Sequence, residues 1–243
     1  DPISDIEIIN LELILADLES VDRRLERVAK LAKQKDKEAV IELEILMKIK
    51  EALESEKPAR SVAFPEELYK KVKELQLLTA KPMLYVANVN EEELLNLKEN
   101  TLLKKIQAYA KEDGAEVVVV CAKIEEEISE LDENEKKEFL QELGIQESGL
   151  DQLIRKAYDL LGLSTYFTAG EQEVRAWTFK KGMLAPEMAG IIHTDFQKGF
   201  IKAETYSYDD LMEYGSEHAL REAGKIRQEG KQYVGHDGDI MLF

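Results

Sequence analysis

The stretch "KPMLYVANVNE" (Lys81–Glu91) decides how the chain is read. It is a short segment, apolar on both faces, that closes on Asn88 and meets a carboxylate, Glu91, three residues later. A strand of this kind belongs inside a parallel sheet with helices on each side. Ligands bind such sheets at the carboxyl ends of their strands. A second segment, "AEVVVVCAKI" (Ala115–Ile124), repeats the pattern about thirty residues on and ends at Cys121-Ala122-Lys123. Helical patterns separate and follow the two, around Leu95–Glu112, Glu133–Leu143 and Leu150–Leu161. Two strands do not make such a sheet, so this middle region expects partner strands beyond the chain.

On the N-terminal side, Ile6 to about Glu56 has no Gly or Pro and is dense in Glu, Lys, Leu, Ile and Ala, which predicts helix. Leu11, Ile14, Leu18, Val21, Leu25, Val28 and Ala32 form a heptad seam, and Ala39, Leu43, Leu46, Ile49 and Leu53 form a second stripe. "KQKDK" (Lys33–Lys37) is the expected break, giving an antiparallel helical hairpin that Pro58 and Pro65 then terminate. On the C-terminal side, from about Gly162, Gly, Tyr and Phe increase. Glu173–Phe179, Gly199–Tyr208 and Gln232–Leu242 read as strands, the last with a turn signal at Asp237-Gly238, and Ala185–His193 reads as a short helix. The expectation is a small mixed sheet with one or two helices.

The chain has 243 residues, enough for two or three domains, and 44% of them are apolar. No apolar run approaches the ~20 residues of a membrane helix, so no membrane partner is expected. A net charge of −17 excludes a protein that coats nucleic acid uniformly. The single cysteine, Cys121, excludes an internal disulfide and suits a reducing cytoplasm. The start at Asp1, with no secretory signal, reads like the middle of a protein.

An Asn at a strand end followed by a carboxylate suits the gripping of a nucleotide base, with Ala122 and Lys123 on the second loop bringing backbone N–H groups to the base edge. The competing reading makes Asn88 a turn cap and Glu91 a solvated side chain. A phosphate loop G-x-x-x-x-G-K-[ST] is the natural companion, but neither Gly-Lys pair fits. Gly224-Lys225 is followed by Ile226 and has Ala219 in place of the first Gly; Gly230-Lys231 is followed by Gln232 and has Lys225 there. The phosphates therefore have no expected site in this chain.

Several longer stretches carry a resemblance: "DPISDIEIINLELILADLE" (Asp1–Glu19), "KPARS" (Lys57–Ser61), "LYVANVNE" (Leu84–Glu91), "TYFTAGEQEVRAWT" (Thr165–Thr178), "AGIIHTDFQKGFIKAET" (Ala189–Thr205) and "DGDIMLF" (Asp237–Phe243). Together they resemble the YchF / Obg-like ATPase family of P-loop NTPases over essentially the whole chain. The resemblance implies an α/β and α+β multidomain fold. Residues 1–65 would be an α-helical coiled-coil hairpin, 66–161 the C-terminal part of a P-loop NTPase α/β domain, and 162–243 a β-grasp (TGS) domain. The chain looks like such a protein begun just before the helical insertion, lacking the P-loop half and stopping a few residues short of the usual end. In GTPases an N-K-x-D motif selects guanine. Here Val89 stands for the Lys and Glu91 for the Asp, a variant that resembles ATPases more than strict GTPases. Asn88, Val89 and Glu91, with Ala122 and Lys123, are the implied contacts to ATP or GTP. Cys121, where many relatives have Ser, is read as small and buried. Catalytic and Mg²⁺-holding residues are expected outside the chain, so none is assigned.

Other residues have plainer readings. His193-x-Asp195 lacks a third metal ligand and is taken as structural, as is Trp177, placed in a core or domain interface. Arg23, Arg24, Arg27, Lys30, Lys33, Lys35 and Lys37 face only Glu26 and Asp36 in sequence, a local excess of five positive charges. That predicts an arm toward the ribosome or structured RNA, against the alternative of a solvated helix face. The functional expectation is a cytoplasmic, monomeric, ribosome-associated ATP/GTP hydrolase of which this chain is the C-terminal two-thirds. A non-enzymatic RNA- or ribosome-binding adaptor and a coiled-coil scaffold are the rivals.

Overall fold

A computed structural model of the chain describes residues 1–170 and 173–243. Glu171 and Gln172, inside the quoted stretch Thr165–Thr178, lie outside the described residues. The chain divides into two compact units, Asp1–Leu153 and Ile154–Phe243.

The first unit opens with α1 (Pro2–Lys33), capped by the Asp1 side chain, which accepts from the Ile3 N–H at 3.2 Å. Helix α2 (Lys37–Glu54) runs back along it. The reversal comes at the expected break: Lys35 takes a positive φ of 62°, and Asp36 caps α2 by accepting from the Ala39 N–H at 2.9 Å. Ile14, Val21 and Val28 meet Ala39, Ile45, Leu46, Ile49 and Leu53 in the buried seam. The seam begins at Ile14, because Leu11 is exposed. Asp22–Lys50 (2.6 Å) and Arg24–Glu42 tie the two helices along their flank.

There follow α3 (Tyr69–Glu74), β1 (Leu84–Asn88), α4 (Glu91–Leu95), α5 (Thr101–Glu112), β2 (Glu116–Val120), α6 (Ala122–Ser129), α7 (Glu133–Glu142) and α8 (Gly149–Leu160). Strands β1 and β2 pair in parallel from Leu84↔Glu116 to Asn88↔Val120. Three expectations need correction. The helix predicted from Leu95 starts at Thr101, because Asn100 caps it by accepting from the Leu103 N–H. The second strand stops at Val120, and Ala122 already belongs to α6. The strands are apolar on both faces but not buried on both, for Val86 is 50% exposed.

A chain of polar contacts joins the helical pair to β1. Asp17, only 3% exposed, accepts from the N–H groups of Leu78 and Thr79 and from the Thr79 hydroxyl at 2.7–2.8 Å. The Thr79 hydroxyl accepts from the Ala59 N–H, and the Thr79 carbonyl accepts from the Arg60 N–H. The Arg60 guanidinium donates to both Asp113 oxygens at 2.6 and 2.7 Å, and Asp113 accepts again from the hydroxyl of Tyr85 on β1. "KPARS" thus has a structural reason.

The second unit contains β3 (Leu163–Ala169), β4 (Val174–Lys180), α9 (Ala185–Ile192), α10 (Thr194–Gly199), β5 (Ala203–Ser207), α11 (Tyr208–Tyr214), α12 (Glu217–Glu222), β6 (Arg227–Glu229) and β7 (Asp239–Leu242). Its sheet has the order β4-β3-β7-β5-β6, with β3 and β7 parallel and the other pairs antiparallel. Met188 and Ala189 of α9 pack on Tyr166, Phe179 and Met241, and the Tyr166 hydroxyl donates to the Met188 carbonyl. Leu220 of α12 packs with Tyr206 and Ile240 in a second cluster. Among the described residues four helices lie beyond Gly162, not one or two, and the last strand begins at Asp239 rather than Gln232. The reason is Asp239 itself: its buried carboxylate accepts from the Tyr233 hydroxyl and the His236 N–H, winding the preceding residues into a loop.

Candidate functional site

The carboxyl ends of β1 and β2 lie side by side, which brings the sequence-predicted loops together. The Val89 N–H donates to the Val120 carbonyl at 2.9 Å, carrying the ladder one step past β1. The cap at the start of α4 is Asn90, not Asn88: its side chain accepts from the Glu93 N–H while Glu93 accepts from the Asn90 N–H. Asn88 is thereby released from local capping. Its Oδ1 instead accepts from the Ala122 N–H, 3.3 Å away on the second loop. Cys121 precedes α6 without capping it, so Asn88 supplies from another strand an acceptor that the helix start lacks. With Oδ1 engaged, the Asn88 amide still has two N–H donors for a ligand.

Glu91 and Lys123 also meet. The Lys123 ammonium lies 2.5 Å from Glu91 Oε1 and 3.9 Å from Glu127, and the Glu91 carboxylate is the main cause holding the lysine above its ordinary pKa. The side chains are 68% and 46% exposed, so the pair adds little to stability. Glu91 Oε1 itself is enclosed, and apart from the ammonium it has no partner among the described residues.

Val89 stands differently from its neighbours. Its side chain packs with Cys121, Ile124 and Leu94 in the apolar cluster under α6 and α7, and its N–H is spent on the ladder. Both its side chain and its N–H are therefore engaged within the fold. Cys121 is buried in the same cluster. A support that the sequence did not signal is Gly149 at the start of α8, whose N–H donates to Glu125 Oε1 at 2.7 Å. A Cβ there would meet the Val119 carbonyl and Val120 Cα at 3.0 Å, so only Gly lets α8 approach the end of β2 this closely. Beside β1 opens a cleft of about 340 Å³, bounded by Val86, Asn88, Ile6 and Ile106.

The basic residues of the helical pair do not all stand free. Arg24 is paired with Glu42, and Arg23 lies 3.9 Å from Glu19. Folding also sets Glu38, in the first turn of α2, against Lys71. Part of the local positive excess is thus offset by carboxylates, Glu42 from α2 and Glu19 from α1 itself. Arg27, Lys30, Lys33, Lys35 and Lys37 make no ion pair among the described residues. Elsewhere, His193 caps α10 by accepting from the Asp195 N–H, and Trp177 donates to the Thr168 hydroxyl beneath the Arg175 guanidinium, which lies 4.2 Å from its ring. Among the described residues no group of three His, Cys, Asp or Glu is placed to hold a metal ion, and no helix is long and apolar enough to cross a membrane.

Comparison with known proteins gives a consistent result. The YchF-GTPase_C family, described as "Protein of unknown function (DUF933)", matches residues 163–243. The chain is 66% identical to the "Ribosome-binding ATPase YchF" of Bacillus subtilis (strain 168) and 51% identical to the protein of that name from Haemophilus influenzae, in each case over the whole chain and 66% of the relative. It superposes with a TM-score of 0.87 and 37% identity on the solved Schizosaccharomyces pombe YchF GTPase, again over all of this chain and 66% of the other. The chain therefore spans just under two-thirds of the length of these relatives. Over all of its 243 residues, the chain belongs to the YchF family.

Proposed function

We propose that this chain is the base-recognition portion, with two accessory domains, of a cytoplasmic ribosome-associated ATP/GTP hydrolase. The single observation that carries the reading is the bridge from Asn88 Oδ1 to the Ala122 N–H. It joins the two strand-end loops and leaves the Asn88 amide donors unspent, and the Glu91–Lys123 pair bridges the same two loops. The relatives' printed names, ribosome-binding ATPase and GTPase, support the activity class. In this reading residues 1–65 are a coiled-coil arm, 66–161 complete a P-loop NTPase domain, and 162–243 form a TGS domain. Asn88, Glu91, Ala122 and Lys123 contact the base, and Val89 supports them.

The phosphate and Mg²⁺ contacts of such a hydrolase are assigned to residues outside these 243. ATP affinity at such sites comes largely from the phosphates. The chain alone therefore binds ATP weakly and does not hydrolyse it. Calorimetry that returned a low-micromolar Kd for ATP with this chain would refute the division of the site. The Asn88 bridge is tested by Asn88→Ala: the Ala122 amide should lose its hydrogen-bond shift in an ¹⁵N NMR spectrum, and the response of that amide to millimolar ATP should disappear. An unchanged response would show that the base lies elsewhere.

The free cations of the arm, Arg27, Lys30, Lys33, Lys35 and Lys37, are the part of the basic cluster proposed to meet ribosomal or structured RNA. Arg23 and Arg24 contribute less, being engaged with carboxylates.

A further inference from the structure

From the Glu91–Lys123 pair we infer that Lys123 is a specificity-determining residue which turns the base site away from guanine and toward adenine. The inference rests on the base-site reading above. A free carboxylate at the end of a base pocket offers two acceptor oxygens in one plane, and guanine presents two donors side by side, N1–H and N2–H, to match them. In this protein the carboxylate is not free. The Lys123 ammonium sits 2.5 Å from Oε1, and no other group among the described residues hydrogen-bonds to that oxygen.

The pair as it stands is an acceptor beside a donor: Glu91 Oε2 and the Lys123 ammonium. Adenine carries the complement, an N6–H₂ donor beside the N1 acceptor. Guanine carries O6 beside N1–H, the reverse order, so its N1–H would be directed at a cation. A polar pocket group left unpaired or facing a like group is the strongest source of discrimination between similar ligands. Lys123 lies on α6 and Glu91 on α4, so their meeting depends on the β1–β2 register and the Asn88 bridge.

Removing the ammonium leaves an enclosed carboxylate oxygen with no donor, and guanine N1–H can then supply one. In Lys123→Met, therefore, the ratio of GTP to ATP affinity should rise by about tenfold, the worth of one hydrogen bond to a charged group. Lys123→Arg retains the cation and should retain the wild-type ratio. In the double variant Glu91→Gln with Lys123→Met the amide matches either base by turning over, so the gain of guanine, which needs two acceptor oxygens for N1–H and N2–H, should be lost and the ratio should fall back.

The experiment titrates ATP and GTP separately into the 243-residue chain at constant ionic strength and follows the Ala122 and Val89 amides by ¹⁵N NMR. A GTP/ATP ratio that rises in Lys123→Met and returns in the double variant supports the inference. An equal change in both affinities, or none, overturns it, because the ion pair then opens when a base enters. If neither nucleotide moves these amides in the wild-type chain, the base-site reading itself fails, and this inference with it. Lys123→Ala, which also removes the ammonium, takes the place of Lys123→Met in the same titrations if that variant does not fold.

Discussion

Replacing Asp17 with Ala should destabilise the first unit and leave the second untouched. The carboxylate accepts three hydrogen bonds, from the Leu78 N–H at 2.8 Å and from the Thr79 N–H and hydroxyl at 2.7 Å, in surroundings where Asp17 and Thr79 are each 3% exposed. Bonds to a charged acceptor are worth about 1.5–3 kcal/mol each, and orphaning the buried Thr79 N–H costs a further 1–3 kcal/mol or so. These contributions overlap, because the Thr79 hydroxyl can turn toward other partners, so the loss should be about 3–5 kcal/mol. At a urea slope of roughly 2 kcal/mol per molar, the midpoint falls by about 2 M. Asp17→Asn keeps one acceptor oxygen but turns an NH₂ toward the Thr79 N–H, and should lose about half as much. The chain supplies its own control. Helices α1 and α2 dominate the circular dichroism, whereas the one tryptophan, Trp177, reports only the second unit. The dichroism midpoint should move and the fluorescence midpoint should not. A dichroism shift under about 0.5 M, or an equal shift in both signals, would refute the argument.

Three further outcomes are expected. Gly149→Ala places a methyl 3.0 Å from the backbone of Val119 and Val120, which cannot yield as a side chain would. Stability should fall by about 1–3 kcal/mol, with amide shifts concentrated at Cys121–Lys123. Asp151 is held below the usual carboxylate range first by the Ser148 hydroxyl and then by Lys136. Its stabilising effect is complete above the unfolded pKa of ~3.9 and is lost as the pH falls through the lower folded value. The stability gap between wild type and Asp151→Asn, from urea midpoints at pH 7, 5, 4 and 3, should hold to about pH 4 and then shrink; a constant gap would deny the interaction any charge. On the proposed reading of the arm, reversing Arg27, Lys30, Lys33 and Lys37 to Glu should preserve helicity and flatten the salt dependence of ribosome binding, by about one log unit per log of salt for each phosphate that the arm no longer neutralises. An unchanged slope would reduce the arm to a solvated helix.

The hairpin was legible in the sequence because its information is local. A period of three and four fixes which residues meet, and "KQKDK" contains both the cap, Asp36, and the residue that turns, Lys35. The two strand-end loops were legible for a similar reason, since short apolar runs ending in polar residues declare both the strand and its open end. What escaped were the facts that depend on folding. Asn90 outcompetes Asn88 for the cap of α4 only because Glu93 completes the capping box. Val89, an implied base contact by its position in the motif, has its side chain in an apolar cluster assembled with α6 and α7, far along the chain. The loop before β7 reads as strand until the buried Asp239 is seen to gather Tyr233 and His236.

The basic arm shows most clearly why spacing along the chain is a poor guide to charge. A window from Arg23 to Lys37 counts neighbours in sequence, but an antiparallel partner contributes residues from beyond the window. Glu38 and Glu42 lie on the first two turns of α2; one pairs with Lys71 and the other with Arg24. A phosphate approaching this end of the arm therefore meets a mixed surface, where attraction depends on which face it approaches and not on the sum. Ions beyond about 8–10 Å are screened at physiological salt, so only cations turned away from α2 contribute fully. Reversing Arg24 alone should then act chiefly on the hairpin, setting a carboxylate against Glu42, with little effect on RNA affinity. Reversing Lys30 alone should do the opposite. Urea midpoints and ribosome co-sedimentation measured on these two single variants separate the contributions. Equal effects of both on binding would mean that the arm acts through its total charge, and that the pairing with Glu42 is immaterial.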